Sequence, residues 1–323
     1  MQFLFILDPL ASLKSEKDTS LAIMREAAAR GHQLYCCQQH DILLRNGCIK
    51  FAVKRFTFNQ DGCFKSDSPE EVIARTFDAI IMRKDPPFDN EYLYSTYLLE
   101  MASQQGTRVF NNPASIRSWN EKLSVARFAQ FAPEFLVTSD ADLIRDFLSH
   151  YQDIIIKPLD GMGGSGIFRL TESDYNIGVI LETATQFGQQ TIMAQRYLPA
   201  ILQGDKRIIV INGVPLPYAL ARIPKAGETR GNLAAGGIGV AQPLTSRDLE
   251  IANTVGKTLK QEGLFLVGLD VIGEHLTEIN VTSPTGMVEI AEQTQNSVAP
   301  CNPAQIFVQA LETTIRGYKP LLP

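Results

Sequence analysis

Apolar and polar positions alternate most cleanly toward the C-terminal end of the chain. Phe265, Val267, Leu269 and Val271 occupy odd positions, and Ile279 and Val281 continue the series after Gly273-Glu274-His275. A period of two puts these side chains on one face of a strand pair. Asp270, Glu278 and Asn280 interrupt the opposite face. A three-residue turn over Gly273 to His275 sets Asp270 directly across from Glu278, with Asn280 on the same face. A turn of even length would separate them. Opposed carboxylates repel each other, so the pattern predicts a cation between them, and three hard oxygens suit Mg²⁺.

Upstream, the pattern predicts strands alternating with helices. Residues 2–7 read as a buried strand and 18–30 as a helix, capped by Asp18 or Thr19 and closed by Gly31. Strands follow at 33–37, 47–57 and 78–83, then a helix at 90–104 and a short strand at 108–110. This alternation predicts a parallel α/β sheet over about the first 120 residues. Beyond the turn at Asn111-Asn112-Pro113, helices at 121–130 and 140–150 and strands at 153–157, 166–170 and 190–195 form a small α+β module. Two strands between 204 and 220 follow, then a glycine-rich polar stretch from Pro224 to Gly239 and a helix over 247–262. After the hairpin comes a helix from Pro303 to Arg316, and no internal repeat is visible.

Composition narrows the function classes. The 323 residues are 45% apolar and 20% charged, an ordinary globular balance with room for one to three domains. A net charge of −5 argues against nucleic acid as the main partner. No stretch approaches the roughly 20 apolar residues of a membrane span. The apolar run Met1–Leu7 is short for a signal segment and has no basic residue before it. A cytoplasmic protein without membrane contact is the expectation. Cys36, Cys37, Cys48, Cys63 and Cys301 are odd in number and form no Cys-x-x-Cys, so neither a disulfide framework nor a zinc site is predicted.

Five segments carry candidate chemistry. In Lys157-Pro158-Leu159-Asp160-Gly161-Met162-Gly163-Gly164-Ser165-Gly166, closely spaced glycines let backbone N–H groups approach an anion, and Lys157 adds a cation at the end of a strand. The segment lacks the Gly-Lys-Ser/Thr of a Walker loop and lies between two strands, unlike a Rossmann turn. Met193 to Pro199 ends a strand in polar residues and a proline, and can expose a donor and an acceptor for adenine; a plain strand exit is the alternative. Lys206, Arg207, Arg222, Lys225 and Arg230 form a basic set in which Arg207 and Arg222 adjoin apolar strand residues. Such cations complement a triphosphate or acyl phosphate, unless they are ordinary surface charges. Ala226 to Gly237 is rich in small residues and reads either as a lid carrying Arg230 or as a plain surface loop. Met82 to Asp89 leaves a parallel strand end, where Arg83 and Lys84 could receive a substrate carboxylate; a stiff connector is the alternative.

Together these segments resemble the ATP-grasp ligases, and closely the prokaryotic-type glutathione synthetases. Met82 to Asp89, Lys157 to Gly164, Ala221 to Gly237 and Thr277 to Pro284 carry the resemblance. It implies an α/β and α+β molecule of ATP-grasp fold. An N-terminal parallel-sheet domain would cover residues 1–121, a small central lid domain 122–200 and a C-terminal antiparallel-sheet domain 201–323. It implies ATP-dependent joining of γ-glutamylcysteine to glycine through an acyl phosphate, in a cytoplasmic homo-oligomer. By the same resemblance, Asp270, Glu278 and Asn280 are the ligands of Mg²⁺, for which Mn²⁺ can substitute. Lys122, Lys157, Gly161, Gly163, Gly164, Ser165, Gly166, Gln195, Tyr197, Leu198 and Asp205 hold ATP. Arg207, Arg222 and Arg230 face the reacting groups, while Arg83, Lys84, Asp85, Thr282 and Ser283 meet substrate. Ile238 departs from the pattern, since some relatives carry an arginine there. Another carboxylate–amine ligase, a phosphotransferase and a non-catalytic nucleotide-binding regulator are the rival readings.

Overall fold

The computed structural model describes residues 1–59, 64–225, 227, 231 and 236–317. Its first sheet comprises β1 (Gln2–Ile6), β2 (Gln33–Cys37), β3 (Ile42–Arg45), β4 (Cys48–Phe58), β5 (Phe64–Ser66), β6 (Glu70–Ile73), β7 (Ala79–Met82) and β8 (Val109–Phe110). The strand order is β3-β4-β2-β1-β7-β8, with β5 and β6 paired to β4. Only β2, β1, β7 and β8 run parallel; β4 lies antiparallel to β2. The expected all-parallel sheet is therefore corrected to a mixed one. The connection explains it: Asn46-Gly47 turns β3 directly back onto β4, whereas a parallel neighbour needs a crossover of about a dozen residues or more.

The sheet is flanked by α1 (Thr19–Ala29), α2 (Asn90–Gln104) and α3 (Pro113–Ser118). The Asp18 carboxylate accepts the Leu21 N–H at 2.8 Å and so caps α1. Phe3, Leu4, Phe5 and Ile6 of β1 are all fully buried, as expected of a strand covered on both faces. From β1 the chain first adds β2 on one side and later β7 on the other. Strand order thus reverses between β1 and β7, and a crevice opens beyond their C-terminal ends. Asp8 and Arg83 to Asp85 lie there.

The second sheet, β9 (Phe135–Thr138), β10 (Asp153–Pro158), β11 (Phe168–Thr171) and β12 (Ile192–Arg196), is antiparallel in the order β11-β10-β12-β9. Ile144 and Leu148 of α4 (Ala141–Tyr151) and Leu181 of α5 (Ile177–Ala184) close a small core against Ile154, Ile156 and Leu170. The helix expected over 121–130 is instead a 3₁₀ segment over Leu123–Phe128. The Asn120 side chain accepts the N–H groups of Lys122 and Leu123 and donates to the Leu159 carbonyl at 3.0 Å. Those bonds bind this segment to the glycine loop.

The third sheet is antiparallel in the order β15-β14-β13-β16-β17, comprising β13 (Asp205–Ile211), β14 (Val214–Ile223), β15 (Ile238–Pro243), β16 (Leu266–Ile272) and β17 (His275–Asn280). Ile208 and Val210 join a core with Ile251, Val255 and Leu259 of α6 (Ser246–Gln261). The other face of β13, Ile209 and Ile211, shares a core with Met287 and Ile290 of α7 (Met287–Thr294) and Phe307, Val308 and Leu311 of α8 (Pro303–Gly317). That core also takes in Leu21, Ile23 and Met24 of α1. Glu312 on α8 reaches Arg30 at 2.8 Å and His32 at 2.7 Å. Among the described residues no helix is long and apolar enough to cross a membrane.

The β16–β17 hairpin corrects one expectation. Ile272 pairs with His275, so the turn has two residues, Gly273 and Glu274. Gly273 has φ +60°, which suits the first central position of a type II′ turn. An unbroken ladder from this even turn would oppose Asp270 to Thr277 and send Glu278 toward the core. Instead the register shifts between Asp270 and Val271, with Thr277 as the extra residue of a β-bulge. Asp270 consequently opposes Glu278, and Gly268 opposes Asn280. The carboxylate pairing stands, but a bulge rather than an odd turn produces it.

Candidate active site

A cleft of about 350 Å³ brings together one face of the third sheet, the glycine loop of the second and the Asp85–Pro86 end of the first-sheet crevice. Sheet register builds its floor. Asp205 of β13 lies across from Arg222 of β14, and Arg207 of β13 across from Asp270 of β16. Asp270 in turn lies across from Glu278 of β17. Alternation along β13 sends Asp205 and Arg207 into the cleft. Lys206 goes the other way, to Asp248 of α6 and the Gly273 carbonyl at 3.1 Å. Of the predicted basic set, Lys206 thus supports the hairpin from behind.

Asp270 is almost fully buried and held by Arg207, Nε to Oδ1 at 2.5 Å and Nη2 to Oδ2 at 3.0 Å, and by Arg222 at 2.8 Å. Burial alone would raise its pKa. Arg207 and then Arg222 overcome that and hold the carboxyl well below the usual range. Arg222 also pairs with Asp205. Burial pushes the Asp205 pKa up to about 6, against the pull of Arg222. Gly268 is required by this packing: a Cβ there would stand 2.8 Å from Cδ of Arg207 and 2.9 Å from Cβ of Pro284.

Two buried lysines approach Glu278, Lys122 at 3.6 Å and Lys157 at 4.0 Å. Lys122 donates to the Gly161 carbonyl at 2.6 Å, and Lys157 to the carbonyl of the bulge residue Thr277 at 3.2 Å. Burial lowers the Lys157 pKa, and Glu278 opposes the shift. Gly161, Gly163, Gly164, Ser165, Gln195, Tyr197 and Leu198 all line the same cleft. The Gln195 side-chain nitrogen is buried without a hydrogen-bond partner among the described residues, and the Tyr197 N–H is taken by the Asp153 carbonyl at 3.0 Å.

The donor set fits a hard divalent cation. Asp270, Glu278 and Asn280 line one face, and the Asn280 amide nitrogen donates to the Gly268 carbonyl at 3.3 Å. That leaves its oxygen for the cleft. Among the described residues no group of three or more His, Cys, Asp or Glu could hold a metal. Two carboxylates and an amide match a site completed by phosphate oxygens.

The substrate-facing residues divide. Asp85 lines the cleft with Thr282 and Ser283, and accepts the Ser283 hydroxyl. Arg83 is buried, donating to Ser20 Oγ and the Pro284 carbonyl at 3.0 Å each, while its Nη1 has no partner among the described residues. Lys84 pairs with Asp8 at 2.9 Å. Arg230 and most of the predicted lid lie outside the described residues. Sequence reasoning missed Glu121, whose Oε1 accepts the Val281 and Thr282 N–H groups and the Thr282 hydroxyl. Read as part of a helix, Glu121 carries no signal that separates it from a surface charge.

Two family models match the chain. "Prokaryotic glutathione synthetase, N-terminal domain" covers residues 1–117, and "Prokaryotic glutathione synthetase, ATP-grasp domain" covers 121–295. The chain is 56% identical to the glutathione synthetase of Nitrosomonas europaea, over 98% of each chain. Its backbone is similar to D-cycloserine synthetase DcsG, with a TM-score of 0.67 and 16% identity over 97% of this chain and 99% of that one. It is also similar to the ATP-grasp ligase PsnB complexed with its minimal precursor, Mg and ADP, with a TM-score of 0.61 and 17% identity over 98% of each. The chain belongs to the prokaryotic glutathione synthetase family and has the ATP-grasp fold.

Proposed function

We propose that this enzyme joins γ-glutamylcysteine to glycine at the expense of ATP, producing glutathione, ADP and phosphate. The observation that carries the reading is the row of Asp270, Glu278 and Asn280 beneath a glycine loop and two buried lysines, in a chain of this family. Lys122 and Lys157 receive the phosphates, with Gly161, Gly163, Gly164, Ser165 and Gly166 closing over them. Gln195, Tyr197, Leu198 and Asp205 hold the nucleoside. The metal is Mg²⁺, replaceable by Mn²⁺, and when bound it neutralises phosphate charge and screens the attacking carboxylate from ATP.

A carboxylate is an anion and must approach another. Arg207 and Arg222 already neutralise Asp270 at the cleft floor, and their remaining N–H groups are assigned, with Arg230, to the transferring phosphoryl group and the acyl phosphate. The cysteinyl carboxylate forms a bond to the γ-phosphorus and ADP leaves. The glycine amine then forms the amide bond, phosphate leaves and the nitrogen gives up its proton. Asp85, Thr282 and Ser283 hold the donor beside this path, with Arg83 and Lys84 behind them.

We assign the substrate domain to 1–121, the lid domain to 122–200 and the catalytic domain to 201–323, in keeping with the three sheets. A cytoplasmic homo-oligomer completes the reading on family resemblance alone. The test is coupled ADP release with ATP and γ-glutamylcysteine, with and without glycine. Strong glycine-dependent release is expected; release indifferent to glycine, or none, would overturn the reading.

A further inference from the structure

A second cavity, of about 100 Å³, opens beside the cleft. Ile116 and Trp119 form an apolar wall, Arg117 lines another side, and Glu121 and Thr282 belong to both cavities. Glu121 lies at this junction. Three donors fix its Oε1, from Val281 N at 3.0 Å, Thr282 N at 3.1 Å and Thr282 Oγ1 at 2.8 Å. Oε2 makes no hydrogen bond and Glu121 no ion pair among the described residues; Lys122, its chain neighbour, turns to Gly161 and Glu278. Glu121 is half-buried, with Glu278 acting against its charge and Lys122 offsetting it from a distance, so a cation brought by a ligand would give its free oxygen a direct partner.

We propose that Glu121 and this small cavity form the site of the amine substrate, with the ammonium against Glu121 and the carbon skeleton confined by Ile116 and Trp119. The proposal rests on the ligation reading, which supplies a small primary amine. The cavity's small volume beside the wall of Ile116 and Trp119 suits a two-carbon amino acid. The amine then lies next to Thr282, which also lines the reaction cleft. Glu121 accordingly binds the acceptor by charge, whereas the metal row and lysines act on ATP and the donor.

Glu121→Gln separates this from a structural role, because the Gln carbonyl still accepts the three bonds now made by Oε1. Hydroxylamine, uncharged at neutral pH, traps the acyl phosphate without needing an ammonium site. The expected result for E121Q is a KM for glycine raised about tenfold or more, with the KM for ATP and for γ-glutamylcysteine within about twofold and hydroxamate formation unchanged. Ile116→Ala is expected to improve kcat/KM for alanine relative to glycine by about tenfold. An unchanged glycine KM in E121Q, or parallel loss of the glycine and hydroxylamine reactions, would overturn the proposal. Wild-type protein tests the ligation reading separately: without glycine-dependent turnover that reading fails, and the amine site falls with it.

Discussion

Asp270 and Glu278 oppose each other across two strands, yet they are held in different ways. Asp270 is bonded by two guanidinium groups, whereas among the described residues Glu278 has only lysines, at 3.6 and 4.0 Å. Removing a charge should therefore separate stability from chemistry. Glu278→Gln is expected to lower kcat about a hundredfold or more while lowering the urea midpoint less than Asp270→Asn does, since its lysines stand farther off and also bond to carbonyls. Asp270→Asn should lose as much activity and also about 3 kcal/mol of stability, because Arg207 loses its carboxylate in a buried place. Turnover within about tenfold of wild type in either variant, measured by coupled ADP release, would refute the metal assignment. Two adjacent residues show what a sequence can reveal here. Lys206 and Arg207 look equivalent as strand-end cations, and only the pleat sends one to the cleft and the other to Asp248.

Among the elements, the hairpin was the most legible and still held a surprise. Its alternation disclosed the buried face and the carboxylate pairing, because a half-buried strand pair must keep period two. The length of its turn stayed hidden, since a bulge leaves no compositional mark. Thr277 does more than correct parity: its carbonyl holds Lys157, and its hydroxyl donates to the Asp270 carbonyl at 3.1 Å. Deleting Thr277 would leave a regular two-residue hairpin with Asp270 still across from Glu278. The protein should fold and keep its metal dependence, while the KM for ATP rises about threefold to tenfold as Lys157 loses its anchor. A KM for ATP that does not move would show the bulge to be a device of register alone. The first sheet was less legible, because Asn46-Gly47 signals a hairpin that the strand-and-helix alternation overrode. Glu121 was lost through the helix expected over 121–130: it lies in the turn before the 3₁₀ segment Leu123–Phe128, where its carboxylate takes up the N–H groups of Val281 and Thr282, far along the chain.

Over the whole molecule, α8 fastens the third sheet to the first through Glu312, with Arg30 and His32 facing it and Arg316 at 4.0 Å. The hydrogen bond from Arg30 is the main cause that lowers the Glu312 pKa from 4.5 to about 2; partial burial opposes it and His32 assists. A carboxyl whose folded pKa is depressed contributes stability that is complete above its unfolded value and is lost as pH falls through the folded one. The urea midpoint of the wild type is therefore expected to drop between about pH 4.5 and pH 2 more steeply than that of Glu312→Gln. Parallel curves for the two proteins would show that the triad is not an acid-labile link.

The same helix sets an order of events during synthesis. Arg30 and Glu312 are 282 positions apart, and α1 shares its core with α8. At a translation speed of about 5–20 residues per second, the apolar face of α1 waits about 15–60 s for the segment that covers it. Throughout that interval Leu21, Ile23 and Met24 lack the α8 side of the core they share with it. A ribosome stalled before α8 would release a chain whose earliest-made part still lacks its last wall.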